Sequence, residues 1–181
     1  MTAWRPDSLL RLVALLCLLV QPWGQVRAQV NNESQLKAAY LVNFLKYVEW
    51  PGNGATTTIC LFGRDTLGAY LAAYESRSIA GRELHLRRVT APDQMADCQL
   101  LFVPDNEEAR YAAVLRWVEH QPVLTVSDSE MFVRQGGGIA LVRSEGRLQF
   151  DINVAALGAA GLKPSSQLMR LARVVTGAIS K

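Results

Sequence analysis

Residues able to carry acid–base or metal chemistry are sparse in this chain of 181 residues. Its two histidines are His85 and His120, and neither belongs to an HxH, HExxH or CxxC pattern. The GxSxG pattern that presents a nucleophilic serine is also missing from the sequence. We therefore predict no metal ion, no cofactor and no catalytic residues, and we favour binding over catalysis.

Two loops carry side chains that could contact a small ligand. Arg64 and Asp128 each follow a short apolar run typical of a buried strand, and open α/β sheets bind ligands just beyond the carboxyl ends of such strands. Each loop also has a structural explanation. The first could be a plain strand-to-helix turn, and Ser127 or Asp128 could cap a helix beginning at Glu130. The structural explanation is favoured for both.

The elements that must position these loops follow from the hydrophobic periodicity. Residues 33–50 place apolar and aromatic side chains three and four apart, which predicts a helix ended by Pro51. Its aromatic stripe is favoured as core over a partner-binding face. Further strands are predicted over 58–62, 83–89, 100–103, 123–126, 139–142 and 148–150, and helices over 67–74, 105–119, 153–160 and 165–175.

This alternation of strands and helices predicts the fold class. It indicates an α/β domain with a mostly parallel central sheet and helices on both faces. Residues 139–150 contain a Gly-bearing turn between two apolar runs, which predicts a C-terminal antiparallel hairpin at the edge of the sheet.

The N-terminus has the three parts of a secretory signal peptide. Arg5 and Arg11 precede an apolar run over 12–20, and Val26 and Ala28 supply small residues for a cleavage site. The run is shorter than the roughly 20 residues that span a bilayer, so an uncleaved anchor is the weaker reading. We predict a signal peptide over 1–28 and a single exported domain over 29–181.

The composition of the exported part restricts its partners. Without residues 1–28 the chain keeps 16 basic and 15 acidic side chains, a balance that gives no electrostatic footprint for nucleic acid. Cys60 and Cys98 remain once Cys17 leaves with the signal peptide. An even cysteine count in an exported protein favours a disulfide, with two buried free thiols as the alternative.

Several stretches, in this order and spacing, resemble the YfiR family of periplasmic regulators. The resemblance covers about residues 33–175. Its motifs are KAAYLVNFLKYVEWP at 37–51, ICLFG at 59–63, CQLLFV at 98–103, LTVSD at 124–128, GGGIAL at 136–141, LQFDIN at 148–153, and the tail over 161–172.

The resemblance implies a periplasmic repressor with no enzymatic activity. Such a protein binds the sensor domain of a YfiN-like inner-membrane diguanylate cyclase and holds it inactive, which lowers cyclic di-GMP and restrains biofilm formation. A YfiB-like outer-membrane lipoprotein is the implied partner that sequesters the repressor, and a homodimer is implied as well. Cys60 and Cys98 match a cysteine pair of the family. The second pair of some members, near 133–140, is missing from this sequence.

Three partner-contacting residues are carried over from the resemblance, namely Ile139, Asp151 and Leu157. Each has a structural alternative. Asp151 could cap the helix that begins near Asn153, whereas Ile139 and Leu157 could belong to the core. The alternative function is a periplasmic small-molecule receptor that uses the loops of Arg64 and Asp128, and an exported enzyme of unfamiliar mechanism ranks third.

Overall fold

The structure, a computed structural model, describes residues 25–52, 54–64, 66–95 and 97–177, with backbone alone for 25–32. The predicted signal peptide lies outside the described residues except for the backbone of its last four. Two compact units divide the chain at residues 32 and 33. The sheet and every site discussed below belong to the second unit, residues 33–181.

Short strands alternate with short helices along the chain. The strands are β1 Val48–Glu49, β2 Thr56–Phe62, β3 Ser78–Ile79, β4 Arg82–Val89, β5 Leu100–Val103, β6 Leu124–Ser127, β7 Ile139–Ser144, β8 Arg147–Asn153, β9 Lys163–Pro164 and β10 Val174–Thr176. The α-helices are α1 Gln25–Tyr47, α2 Gly68–Leu71, α3 Tyr111–Trp117, α4 Glu130–Arg134, α5 Val154–Ala159 and α6 Ser166–Leu171. Turns of 3₁₀ helix span Ala72–Tyr74, Pro92–Gln94 and Asp105–Arg110.

Eight strands form one sheet in the order β10-β8-β7-β6-β5-β2-β4-β3. The strands β4, β2, β5, β6 and β7 run parallel, β8 returns antiparallel to β7, and β10 lies parallel to β8. The parallel strands thus follow the doubly wound order 2-1-3-4-5, with a crevice expected where β2 and β5 lie side by side. The predicted α/β fold with its C-terminal hairpin is confirmed.

Both faces of the sheet are buried because apolar side chains fill both sides of its central strands. Ile59 and Leu61 of β2 pack in the core that contains α1, whereas Cys60 and Phe62 pack in the core beneath α3. Successive residues of a strand point to opposite faces, so this continuous apolar run supplies both cores.

The predicted disulfide joins Cys60 of β2 to Cys98, which lies just before β5. The Cα atoms are 5.8 Å apart, within the range that a disulfide requires. Both residues are buried, with 0% and 2% of their surface exposed. The bond therefore fastens two neighbouring central strands inside the core beneath α3.

The predicted helix over 33–50 begins and ends earlier. It spans Gln25–Tyr47, and Val48–Glu49 form β1, which pairs with β9 in a separate two-stranded sheet. Its aromatic stripe belongs to the core, as favoured. Tyr40 donates a hydrogen bond to the carbonyl oxygen of Leu148 at 3.1 Å, and its ring lies 5.9 Å from that of Phe150.

The C-terminal helix predicted over 165–175 is also shorter. Helix α6 ends at Leu171, Ala172 has an extended backbone, and Val174–Thr176 form β10. Because β10 pairs with β8, the hairpin lies one strand inside the edge of the sheet rather than at the edge. A tertiary pairing with β8 overrides the local helical pattern there.

Candidate functional site

The crevice between β2 and β5 is filled by a side chain of the protein itself. Glu107 accepts a hydrogen bond from the backbone N–H of Arg64 at 3.3 Å, and Arg110 lies 3.4 Å from its other carboxylate oxygen. Gly63 has a φ of +66°, and a Cβ there would overlap the Glu107 carboxylate. The predicted ligand loop at Arg64 therefore already binds an internal carboxylate.

Asp128, the second predicted ligand residue, lies at the carboxyl end of β6 and has two intramolecular partners. Lys37 of α1 donates to one carboxylate oxygen at 2.8 Å, and the backbone N–H of Asp105 donates to the other at 2.8 Å. Asp128 therefore caps the 3₁₀ turn Asp105–Arg110 from the end of β6. Ser129, rather than Ser127 or Asp128, caps α4.

Lys37 belongs to a chain of ion pairs that ties α1 to the sheet. Its ammonium group lies 3.1 Å from Glu33, which in turn lies 2.7 Å from Arg143 of β7. Burial opposes the charge of Lys37, but its contacts with Asp128 and Glu33 outweigh burial and raise its pKa. The hydrogen bond from Lys37 lowers the pKa of Glu33, and Arg143 adds to this effect against partial burial.

Tyr111 lies beside this network and remains a neutral phenol at physiological pH. Its hydroxyl group is 2.7 Å from the Ser127 hydroxyl and donates to the carbonyl oxygen of Pro104 at 3.3 Å. Burial, helped by the charges of Asp128 and Asp105, raises the pKa of Tyr111 despite its hydrogen bonds. The hydroxyl thus fastens the ends of β5 and β6 together.

The three predicted partner-contacting residues lie in one region, formed by β7, β8 and α5. Ile139 and Leu157 belong to the core that contains α1, with 0% and 1% of their surfaces exposed. Asp151 is 8% exposed and accepts two hydrogen bonds from Arg173, at 2.8 and 2.5 Å. Asn153, not Asp151, caps α5, by accepting from the N–H of Ala156 at 3.1 Å.

A groove that the sequence did not reveal opens between α3 and α5. Its volume is about 530 Å³, and its floor consists mostly of small apolar side chains. Three polar side chains, Arg116, Glu119 and His120, stand along its α3 side. The other lining residues are Ala112, Leu115, Val118, Val123, Thr125, Gln135, Gly136, Ala156, Ala159 and Ala160.

Within the part of the chain that the structure describes, no group of three or more histidine, cysteine, aspartate or glutamate side chains could hold a metal ion. No helix of residues 25–52, 54–64, 66–95 or 97–177 is long and apolar enough to cross a membrane.

The topology and the filled crevice define the class of protein. It is a doubly wound α/β domain in which both predicted ligand loops are hydrogen-bonded to other parts of the same chain. A model of the YfiR/HmsC-like family matches residues 34–173, so the chain belongs to that family.

Solved structures agree with the fold. A conserved domain protein from Vibrio cholerae O1 biovar El Tor is 10% identical with a TM-score of 0.59, over 79% of this chain and 60% of that one. The ABC domain in complex with L-Trp from Streptococcus pneumoniae is 14% identical with a TM-score of 0.52, over 76% and 60%. The chain thus spans about 60% of the length of both proteins, and at these identities the likeness concerns the fold.

Proposed function

We propose that this protein is a negative regulator in the periplasm that binds the sensor domain of a YfiN-like inner-membrane diguanylate cyclase and holds it inactive. The observation that carries the proposal is the family match over residues 34–173. A YfiB-like outer-membrane lipoprotein would withdraw the regulator from the cyclase, so cyclic di-GMP would rise and favour biofilm formation.

The groove between α3 and α5 is the surface that we propose for the cyclase. Its lining residue Ala156 is next to Leu157 in the chain. Ile139, Asp151 and Leu157 are all buried, and Asp151 is paired with Arg173. In this proposal Ile139 and Leu157 do not touch the cyclase but support α5 from the core. Asp151 lies at the margin of the proposed docking surface. The contacts themselves come from the side of α5 that lines the groove, which carries Ala156, Ala159 and Ala160, with Ala159 exposed.

The chemistry of the groove matches a protein partner. Its alanines, Ala112 on one side and Ala156, Ala159 and Ala160 on the other, let a partner's apolar side chain approach the backbone closely. The charged residues Arg116 and Glu119 stand on one side only, as in the polar rim of a protein interface. A helix or loop that offers an apolar side chain flanked by charges fits this arrangement.

The small-molecule receptor is the weaker candidate for a physical reason. Its two predicted loops hold Glu107 and the Lys37–Asp128 pair, so a ligand would first have to displace bonds that the chain already makes. Displacement breaks these part-buried or exposed bonds, which costs about 1 kcal/mol for each bond that the ligand does not replace.

The experiment measures cellular cyclic di-GMP in a strain that lacks the gene and is complemented with the full chain or a variant. Wild type is expected to lower cyclic di-GMP, and Ala159→Arg is expected to leave it high because its side chain fills the groove. Ala73→Arg is the matched control, since Ala73 is exposed on a 3₁₀ turn outside the groove.

Two further readouts complete this test. Each protein, purified from the periplasm, should bind the periplasmic domain of the cyclase in wild-type and Ala73→Arg form but at least about tenfold more weakly as Ala159→Arg. An unchanged cyclic di-GMP level on deletion, with the cyclase expressed, contradicts the repressor. If Ala159→Arg lowers cyclic di-GMP and binds the cyclase domain as wild type does, the groove is not the docking surface. That outcome leaves the repressor function itself standing.

A further inference from the structure

A second pocket lies on the face of the sheet that carries α1, and it shares no residue with the groove between α3 and α5. The end of α1, the start of β2 and the turn between β3 and β4 form its walls. Its volume is about 390 Å³, near the lower end of the range of about 300–1,000 Å³ for small-molecule sites. A pocket of this size suits a small molecule rather than a segment of another protein.

Charged side chains line this pocket without pairing with one another. Lys46, Glu49 and Arg82 all contribute to the lining, yet none of the three has an ion-pair partner among the residues that the structure describes. Lys37 and Arg173, by contrast, are both paired with carboxylates. The two cations and one carboxylate leave the pocket with a net charge of +1, which favours a ligand that carries one negative charge.

Both cations keep hydrogen-bond donors that the chain does not use. Arg82 donates through one nitrogen to the carbonyl oxygen of Gly52 at 3.2 Å, and Lys46 donates to the Asn43 amide oxygen at 3.2 Å. A guanidinium carries five N–H donors and an ammonium three, so the remaining donors can bind a carboxylate. A phosphate monoester would bring nearly two negative charges into a pocket that also contains Glu49, so the carboxylate is the better match.

Thr57 of β2 supplies a hydroxyl that the chain leaves unused. It lines the pocket and is only 3% exposed, but its hydroxyl has no hydrogen-bond partner among the described residues. None of the fully buried side-chain oxygens of these residues lacks a partner, so this hydroxyl opens into the pocket. Thr125 shows the usual arrangement, because its buried hydroxyl accepts the Gly138 N–H at 2.9 Å. The Thr57 hydroxyl is therefore available to a ligand.

Trp50 offers the pocket its ring rather than its N–H. The indole nitrogen already donates to the Gln99 carbonyl oxygen at 3.1 Å, which holds the part-buried side chain at the pocket wall. The face of an indole carries negative charge density and attracts the slightly positive C–H groups of a ring that lies against it. A saccharide ring suits this wall, because its C–H groups can contact the indole while its hydroxyls donate and accept hydrogen bonds.

We propose that this pocket binds an acidic sugar, that is, a monosaccharide with one carboxylate. The carboxylate accepts from Arg82 and Lys46, and one hydroxyl donates to Glu49. A second hydroxyl bonds to Thr57, and the C–H groups of the sugar lie against Trp50. An amino acid would instead bring an ammonium group to a pocket that already has a net positive charge. The inference is independent of the proposed function, because the groove for the cyclase is a different surface.

Isothermal titration calorimetry on the full chain, exported and purified without a tag, tests the proposal with D-glucuronate, D-galacturonate and N-acetylmuramate. Wild type is expected to bind at least one of them, at least about tenfold more tightly than the matched neutral sugar D-glucose, D-galactose or N-acetylglucosamine. Arg82→Gln should remove this preference, because it keeps an amide donor but no charge. Arg147→Gln is the matched control, since Arg147 is exposed on β8 outside the pocket.

Thr57→Val tests the hydroxyl and should weaken acidic and neutral sugars by the same factor, whereas Thr57→Ser should bind as wild type does. Circular dichroism and thermal unfolding show whether each variant keeps its fold. If Thr57→Val does not, the exposed Lys46→Gln replaces it and should weaken the acidic sugar alone. Wild type that binds none of the three acidic sugars overturns the proposal, and so does binding that Arg82→Gln or a folded Thr57→Val leaves unchanged. An equal affinity for acetate also overturns it, because only the charge would then be recognised.

Discussion

Asp151 and Arg173 show how a residue can be singled out from the sequence while the residue that pairs with it is missed. An acidic residue in the Phe-Asp-Ile-Asn stretch is visible in the sequence, but Arg173 falls in a segment with helical periodicity. The structure makes them a two-bond pair that joins β8 to β10. Asp151 therefore acts first on its own chain, by positioning the edge strand.

We expect Asp151→Asn to lower the free energy of unfolding by about 2 kcal/mol, because hydrogen bonds to charged groups contribute that much. Arg173→Gln should lower it similarly. The double variant should lose less than the sum, with a coupling energy of about 1–2 kcal/mol. Denaturant unfolding of the four proteins measures this cycle, and additive losses would contradict the pair.

A second prediction at the residue scale concerns how the free energy of unfolding depends on pH. It rests on the series of ion pairs Arg143–Glu33–Lys37–Asp128. The pKa of Glu33 is lowered from 4.5, so its stabilisation is present above pH 4.5 and is lost as pH falls through its folded-state pKa. The pKa of Lys37 is raised from 10.5, so its stabilisation is present below that pH and is lost as pH rises through its folded-state pKa.

Glu33→Gln should therefore flatten the acid side of the stability curve and leave the neutral plateau slightly lower, by up to about 1 kcal/mol for a partly exposed pair. Unfolding free energies measured across the acid range test this. The exposed Glu119, whose ion-pair partner among the described residues is His120, provides the control Glu119→Gln. Equal slopes for Glu33→Gln and wild type would show that the network does not contribute.

The disulfide belongs to the scale of elements, because it fastens β2 to the start of β5 across 38 residues of chain. Replacing both Cys60 and Cys98 by alanine should lower the free energy of unfolding by up to about 4 kcal/mol, from loop entropy in the unfolded chain. Since both residues are buried, we expect a reductant to act only after local or global unfolding.

Thiol labelling with and without denaturant measures this behaviour. Labelling that requires denaturant identifies a structural bond, whereas rapid labelling of the folded protein would identify an accessible, switchable one. Single replacement of Cys60 or Cys98 leaves a buried free thiol and serves as the comparison for the double variant.

The sequence predicts those elements in which buried apolar residues recur at regular spacing along the strand or helix. β2, β5 and β6 appear as apolar runs because both of their faces are covered, and α1 appears through its aromatic stripe. The missed strands β1, β3, β9 and β10 have only two or three residues each. Such short strands form because they pair with other strands. They contain too few residues to show a hydrophobic periodicity.

At the scale of the whole molecule, the fold class and the family could be predicted, but the state of the site could not. Arg64 and Asp128 lie where an α/β sheet binds ligands, yet Glu107 and Lys37 reach them from 43 and 91 residues away. The groove likewise assembles alanines from two helices far apart in sequence. Long-range side-chain pairing of this kind needs the folded chain.

The two edges of the eight-stranded sheet also differ in how readily another chain could extend the sheet. At one edge β3 pairs with β4, and five of the eight side chains of β4 are charged or imidazole groups. At the other edge β10 has the uncharged sequence Val-Val-Thr, and no strand of the described residues pairs with its outer side. Strand addition is therefore favoured at one edge and opposed at the other, which disfavours open-ended fibres.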